Sequence, residues 1–288
     1  MSLYDLNMRF PGGLSKALTL SYDDGVYEDI RLIEIMKKYG LRGTFNLNSS
    51  NMQNAKLSNQ KPGSWGVALT VDQAKELYDQ DGIEPATHAY SHPFLQNLPS
   101  ATVAREMLED RMFLEKLFKH PVRGMAYPYG TYSDRVVETL ESCDIAYSRT
   151  VTSTGRFSIP KDWLRMPATC HHSDARLKEL TAQFLEKKHT GREQPWLFYL
   201  WGHSYEFERD KNWNIIEEFA EEIGNRDDVW YATNMEVYSY VKAYQSLIFT
   251  VEIDCVTNPS AQTVWFCLGD KVYEVAAGQT LRLDSEER

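Results

Sequence analysis

Hydrophobic and polar positions alternate between two periods along most of the chain. Lys16-Ala-Leu-Thr-Leu-Ser-Tyr22 is a nearly continuous apolar run of strand length, and it stops at Asp23-Asp24-Gly25. Ile30, Ile33, Ile35, Met36 and Tyr39 then recur at helical spacing up to Gly40, a natural C-terminal glycine. Gly43–Asn48 reads as a strand, 49–64 as a polar loop, and 70–80 as a helix capped by Thr70 with Gln73 three positions on. The same cycle continues through a short strand 82–87, a helix from Ser100 to about Lys119, a strand 122–127, a helix 133–143 and a strand 145–151. Residues 152–172 are rich in turn formers and predict irregular structure. A helix 177–188, a strand 196–201, a helix 214–224, a strand 229–232 and a helix 235–244 complete the series.

Strands that alternate with helices predict parallel βαβ units. About seven such units predict an α/β fold of barrel type, with an open doubly wound sheet as the alternative. The texture changes near residue 246. Short strands at 247–256, 263–268, 272–275 and 280–283 are separated by Asn258-Pro259, Gly269-Asp270 and Gly278, with no helical period between them. The expected division is a catalytic α/β domain over 1–245 and a small antiparallel β appendage over 246–288. The appendage is too small to fold alone and should pack on the larger unit as a cap.

Composition narrows the chemistry. With 288 residues, 42% hydrophobic and 25% charged, the chain is an ordinary globular sequence that needs no disulfides to build a core. Its formal charge of −10 argues against nucleic acid and anionic membranes as partners, and no apolar run is long enough to span a bilayer. The start, MSLYDLNMRFPGG, has neither a basic nor an apolar leader segment, so a cytoplasmic location is the expectation. Cys143, Cys170, Cys255 and Cys267 form no CxxC pair, which excludes zinc-ribbon and thioredoxin readings; free thiols are expected.

The candidate chemistry lies where predicted strands end, the place where parallel α/β folds bind ligands. His88-Ala-Tyr-Ser-His92 puts two imidazoles four residues apart, expected to project from one side of a helical turn and so to share a metal. A carboxylate from another strand end would be a third ligand and leave open positions for water, the arrangement of a catalytic site. In Asp23-Asp24, one carboxylate would bind the metal while its neighbour accepts a hydrogen bond from metal-bound water. The donor set suits zinc first, with cobalt, nickel or manganese as alternatives. His171-His172 falls in the irregular stretch and is expected at the surface, with a place lining the cleft as the alternative.

On these residues the sequence resembles the polysaccharide deacetylases, the fourth carbohydrate esterase family. Ser-Tyr-Asp23-Asp24-Gly25 resembles that family's first motif, Thr87-His88-Ala-Tyr-Ser-His92 its second and Ala126-Tyr127-Pro128-Tyr129-Gly130 its third; Leu200-Trp201-Gly202-His203 is a looser match to the fifth. The resemblance spans roughly 14–240 and implies a distorted (β/α)7 barrel that removes acetyl groups from an acetylated sugar or polysaccharide. It implies Asp24, His88 and His92 as metal ligands, Asp23 as general base, the Tyr129 backbone N–H as oxyanion donor and His203 as general acid. Two positions depart from the pattern. The arginine that usually orients the base would fall at Ala126, and Arg165 is the expected replacement. The fourth motif's Asp-Trp pair is matched in letters by Asp162-Trp163. The competing readings are a related amide or imide hydrolase acting on a small non-sugar molecule, and an inactive carbohydrate-binding relative.

Overall fold

The structure is a computed structural model, and it describes residues 6–61 and 64–283. Its larger sheet contains β2 (Lys16–Asp23), β3 (Gly43–Leu47), β4 (Ile83–Thr87), β5 (Gly124–Ala126), β6 (Tyr147–Ser153), β7 (Met166–Ala168), β8 (Cys170–His171), β9 (Trp196–Gly202) and β10 (Trp230–Tyr231). These follow β1 (Leu6–Arg9), which belongs to another sheet. The order across the large sheet is β7-β6-β5-β4-β3-β2-β9-β8, with β10 beside β2, and its pairings are parallel. Thr169 alone separates β7 from β8, although they stand at opposite ends of this order. One segment therefore pairs first with β6 and then with β9, so the two edges meet through the chain itself.

The predicted irregular stretch 152–172 thus contains the strand that joins these edges. Pro167 and the switch of partner at Thr169 interrupt its period, and a strand that changes neighbours after three residues shows no sustained alternation. β2 is buried along its full length because β3, β9 and β10 all pair with it.

The helices are α1 (Asp29–Lys38), α2 (Ser49–Asn54), α3 (Val71–Tyr78), α4 (Ser100–Phe118), α5 (Asp134–Ser142), α6 (Leu177–Glu186), α7 (Ser204–Arg209), α8 (Asn214–Ile223) and α9 (Asn234–Gln245). The Thr70–Gln73 capping box is present on α3, whereas α4 begins after Pro99 and Ser100 makes no capping bond. The short α2 and α7 were not predicted. Leu32, Ile33 and Met36 of α1 and Ile216, Phe219 and Ile223 of α8 are among the side chains packed in one apolar cluster with β2, β3 and β9.

The C-terminal strands β11 (Ile248–Phe249), β12 (Cys255–Thr257), β13 (Val264–Leu268), β14 (Lys271–Val275) and β15 (Thr280–Arg282) form, together with β1, two antiparallel three-stranded sheets. The run 247–256 is therefore two short strands. β1 crosses over to pair with β13, so the N-terminal segment is part of this β unit. Tyr240 of α9 ties it to the larger sheet: its hydroxyl donates to the Arg9 carbonyl at 2.6 Å and accepts from the Trp265 N–H at 2.9 Å. The four cysteines are free. Residues 284–288 of the expected appendage lie outside the described residues.

Candidate active site

Asp23 closes β2, with Asp24 directly after it; His88 follows β4, Tyr129 follows β5 and His203 follows β9. Parallel pairing places these strand ends on one rim of the sheet. His88 Nε2 lies 3.8 Å from Asp24 Oδ1, and His92 Nε2 lies 3.7 Å from the same oxygen. These separations are too long for hydrogen bonds and leave room for an ion at about 2 Å from each donor.

The two histidines do not sit on a helical turn. Residues 88–92 run as a bend with left-handed backbone at Ala89 (φ 63°) and His92 (φ 56°), and the rings meet edge-on with centroids 4.8 Å apart. Asp24 (φ 81°) and Tyr129 (φ 56°) are left-handed as well. Such conformations cost non-glycine residues of order 1–3 kcal/mol each, and their concentration here is typical of a functional site.

A divalent cation fits these residues. The Nδ1 of buried His88 lies 2.7 Å from the Ala126 carbonyl, to which it can only donate, so Nε2 turns a lone pair toward Asp24. Asn48 fixes the bend by donating to the His88 and Ala89 carbonyls at 2.6 and 2.9 Å. Burial, with His88 alongside, lowers His92 to about 4, which keeps this ring neutral and able to ligate at neutral pH.

Asp23 is 3% exposed. Its carboxylate accepts from the Arg149 guanidinium and, at 2.8 Å, from Asn46 Nδ2. Burial pushes its pKa up, but Arg149, His88 and His203 outweigh that and hold it at about 2. The arginine on Asp23 is therefore Arg149 of β6, and Arg165 is not there: its guanidinium is bound by Asp162 at 2.8 Å and Asp134 at 2.7 Å. Register explains the replacement. Arg149 is the direct cross-strand neighbour of Ala126, so the cation comes from one strand over. The Arg149 guanidinium also lies 4.2 Å from the Trp201 ring centre, which helps fix its plane. An arginine among buried strand residues in Tyr147-Ser-Arg-Thr150 was the available signal; which strand faced it was not.

His203 Nε2 stands 3.8 Å from Asp23 Oδ2 and 4.0 Å from Asp24 Oδ2. Burial works against its charge, yet Glu206, Asp23 and Asp24 raise its pKa above the usual imidazole value. The carboxylate beside its Nδ1, at 3.5 Å, is Glu206. Asp162 is instead used locally, accepting from the Leu164 and Arg165 N–H groups. Glu206 also approaches His171 and His172, at 3.1 and 3.2 Å. His172 is 2% exposed and follows the alternative of a place inside the cleft, held by its N–H to the Trp201 carbonyl at 2.9 Å directly after β8, while His171 is only partly buried. Short α7, invisible to a periodicity search, is what brings Glu206 back toward His203.

Aromatic rings border the rim. Phe94 stacks on Tyr129 at 3.9 Å between centroids, and Tyr129 meets His92 edge-on at 4.4 Å. Trp65 stacks on Tyr205 at 5.7 Å, and Tyr205 lies 5.2 Å from His203. Trp65, Phe94 and Tyr129 remain about half exposed.

Fold and rim together define an α/β protein with an Asp-His-His candidate metal centre at the carboxyl ends of its strands. The polysaccharide deacetylase family model matches residues 12–148, and over this segment the chain resembles that family. A chitin deacetylase of Arthroderma benhamiae is 30% identical over 125 residues, which is 43% of this chain and 30% of the relative, so the match spans less than a third of that relative's length. Among solved structures, a Mycobacterium smegmatis protein classed as a polysaccharide deacetylase superposes with a TM-score of 0.56 at 17% identity, covering 83% of this chain and 94% of its own. A mutant of a family-four pseudoenzyme of Bacillus anthracis, with restored enzymatic activity, superposes with a TM-score of 0.50 at 18% identity, covering 81% and 70%. At such identities the likeness is one of fold.

Proposed function

We propose that this chain is a metal-dependent hydrolase that removes acetyl groups from an acetylated sugar or polysaccharide. The observation that carries the reading is the meeting, on one rim, of the Asp24, His88 and His92 donors with an arginine-held Asp23 and with His203. Two imidazoles and a carboxylate suit zinc, and cobalt, nickel or manganese would fit the same donors.

A divalent cation held there supplies Lewis acidity toward water and the acetyl carbonyl. Asp23, kept ionised by Arg149, accepts a proton from the attacking water. His203 has its Nδ1 toward Glu206 and its Nε2 toward the carboxylates, so Nε2 protonates the departing amine or alcohol. General acid assistance of this kind is typically worth ~10²–10⁴ in rate. The Tyr129 N–H donates to the developing oxyanion, a contribution of roughly 3 kcal/mol. The flanking rings Trp65, Tyr205 and Phe94 give pyranose faces apolar surfaces to stack on. Retention of Asp23, all three ligands and His203 favours an active enzyme over an inactive carbohydrate-binding relative.

The test is acetate release from N-acetylglucosamine oligomers and acetylated xylan by metal-loaded protein, with metal content measured alongside. Asp23→Asn should retain the metal and lose nearly all turnover. No bound metal and no acetate from any sugar would sink the proposal.

A further inference from the structure

Beside the candidate active site, His171, His203 and Glu206 form a second set of donors whose ligand atoms all lie within 4.8 Å of one another. His171 comes from β8, His203 from the end of β9 and Glu206 from α7, so three separate elements converge. Glu206 Oε2 lies 3.1 Å from His171 Nε2, 3.2 Å from His172 Nε2 and 3.5 Å from His203 Nδ1. Donors placed about 2.1 Å from one ion stand about 3.0–3.4 Å apart in octahedral or tetrahedral arrangement; Glu206 Oε2 stands at such a spacing from His171 and His172 and just beyond it from His203 Nδ1.

A second observation points the same way. Glu206 Oε2 and His203 Nδ1 are buried and have no partner with hydrogen-bond geometry, despite the short approaches. His172, itself 2% exposed, aims Nε2 into the group while its Nδ1 is also without a partner. Buried polar atoms are rarely left in that condition. The Ser173 N–H donates to His171 Nδ1 at 3.2 Å and the Ser173 hydroxyl lies 2.7 Å from the same nitrogen, so the ring is held by Nδ1 with Nε2 toward Glu206, and an ion binding there would displace the Nε2 proton.

We propose that His171, His203 and Glu206 form a second, inhibitory site for a divalent transition-metal ion, with His172 as an adjacent donor. An ion on His203 Nδ1 keeps the proton on Nε2 and prevents the imidazolium from forming. Inhibition therefore rests on the reading of His203 as general acid, whereas occupancy of the site does not. Reactions with poor leaving groups, such as amide-linked acetyl, should suffer most.

Full-length protein is dialysed to equilibrium against excess zinc, and bound metal is measured. Two zinc ions per chain are expected for the wild type and one for Glu206→Gln or His171→Gln. Asp24→Asn should lose the other ion and keep this one. His171→Gln serves if Glu206→Gln does not fold, as judged by circular dichroism. One ion in the wild type, or two in both His171→Gln and Glu206→Gln, overturns the site; the cluster is then a carboxylate accepting from histidines. Excess zinc should slow hydrolysis of N-acetyl sugars at least about tenfold, below the ~10²–10⁴ a general acid supplies, and should not slow His171→Gln. Two bound ions without inhibition would overturn the regulatory role and with it the assignment of His203 as acid.

Discussion

Replacing Arg149 with methionine removes the guanidinium from Asp23 while keeping most of the side-chain volume. Both groups are buried, with side-chain exposures of 1% and 4%. A carboxyl held at about 2 in place of its ordinary 3.8 corresponds to roughly 2 kcal/mol of stability at neutral pH. Because the folded pKa is depressed, this contribution is present above 3.8 and disappears as the pH falls through 2. Loss of the arginine also strands an uncompensated buried carboxylate, so Arg149→Met should cost about 3–5 kcal/mol at pH 7. Asp23→Asn in the same background removes the stranded charge and should recover much of that. Urea unfolding of the wild type, both single variants and the double variant, in the presence of chelator, gives the coupling energy between the two side chains. A value of about 2 kcal/mol or more is expected, and additivity within about 0.5 kcal/mol would refute the pairing. In the enzyme assay, Arg149→Met should also move the acid limb of kcat/KM to higher pH, since burial then raises the Asp23 pKa with only His88 and His203 opposing it.

Moving the cation back one strand offers a second check: Ala126→Arg combined with Arg149→Ala should recover part of the turnover that Arg149→Ala loses, because the positions are direct cross-strand neighbours. His88→Ala should lose the metal and reduce kcat/KM by at least about a hundredfold, read by metal analysis together with acetate release. Trp65→Ala should raise KM for acetylated oligosaccharides by roughly fivefold to tenfold at nearly unchanged kcat, matching the ~1 kcal/mol of one ring stack. Asp29 is buried and raised to about 7 by that burial, despite hydrogen bonds from Ser204 and Tyr78. Its folded pKa lies above its unfolded one, so stability should fall as the pH rises from about 4 to 7. Asp29→Asn should flatten that part of the urea-midpoint profile, and an unchanged slope would exclude Asp29 as its source.

The sequence by itself determined what local chemistry encodes. Apolar runs with helical periods between them gave the parallel α/β class, and Asp23-Asp24, His88-x3-His92 and His203 were legible because each follows a run that ends abruptly. Elements without a sustained period were not legible: the split strand of β7 and β8, the short α7, and β1, whose partner lies more than 250 residues away. The supporting residues failed for the same reason. Arg165 and Asp162 stood near the right letters but are spent on each other. Arg149 and Glu206 reach Asp23 and His203 only because β6 lies beside β5 in one register and α7 turns back over β9. A ligand can be read from its own residue type. What orients and charges that ligand depends on which strands become neighbours, and only the tertiary structure decides that.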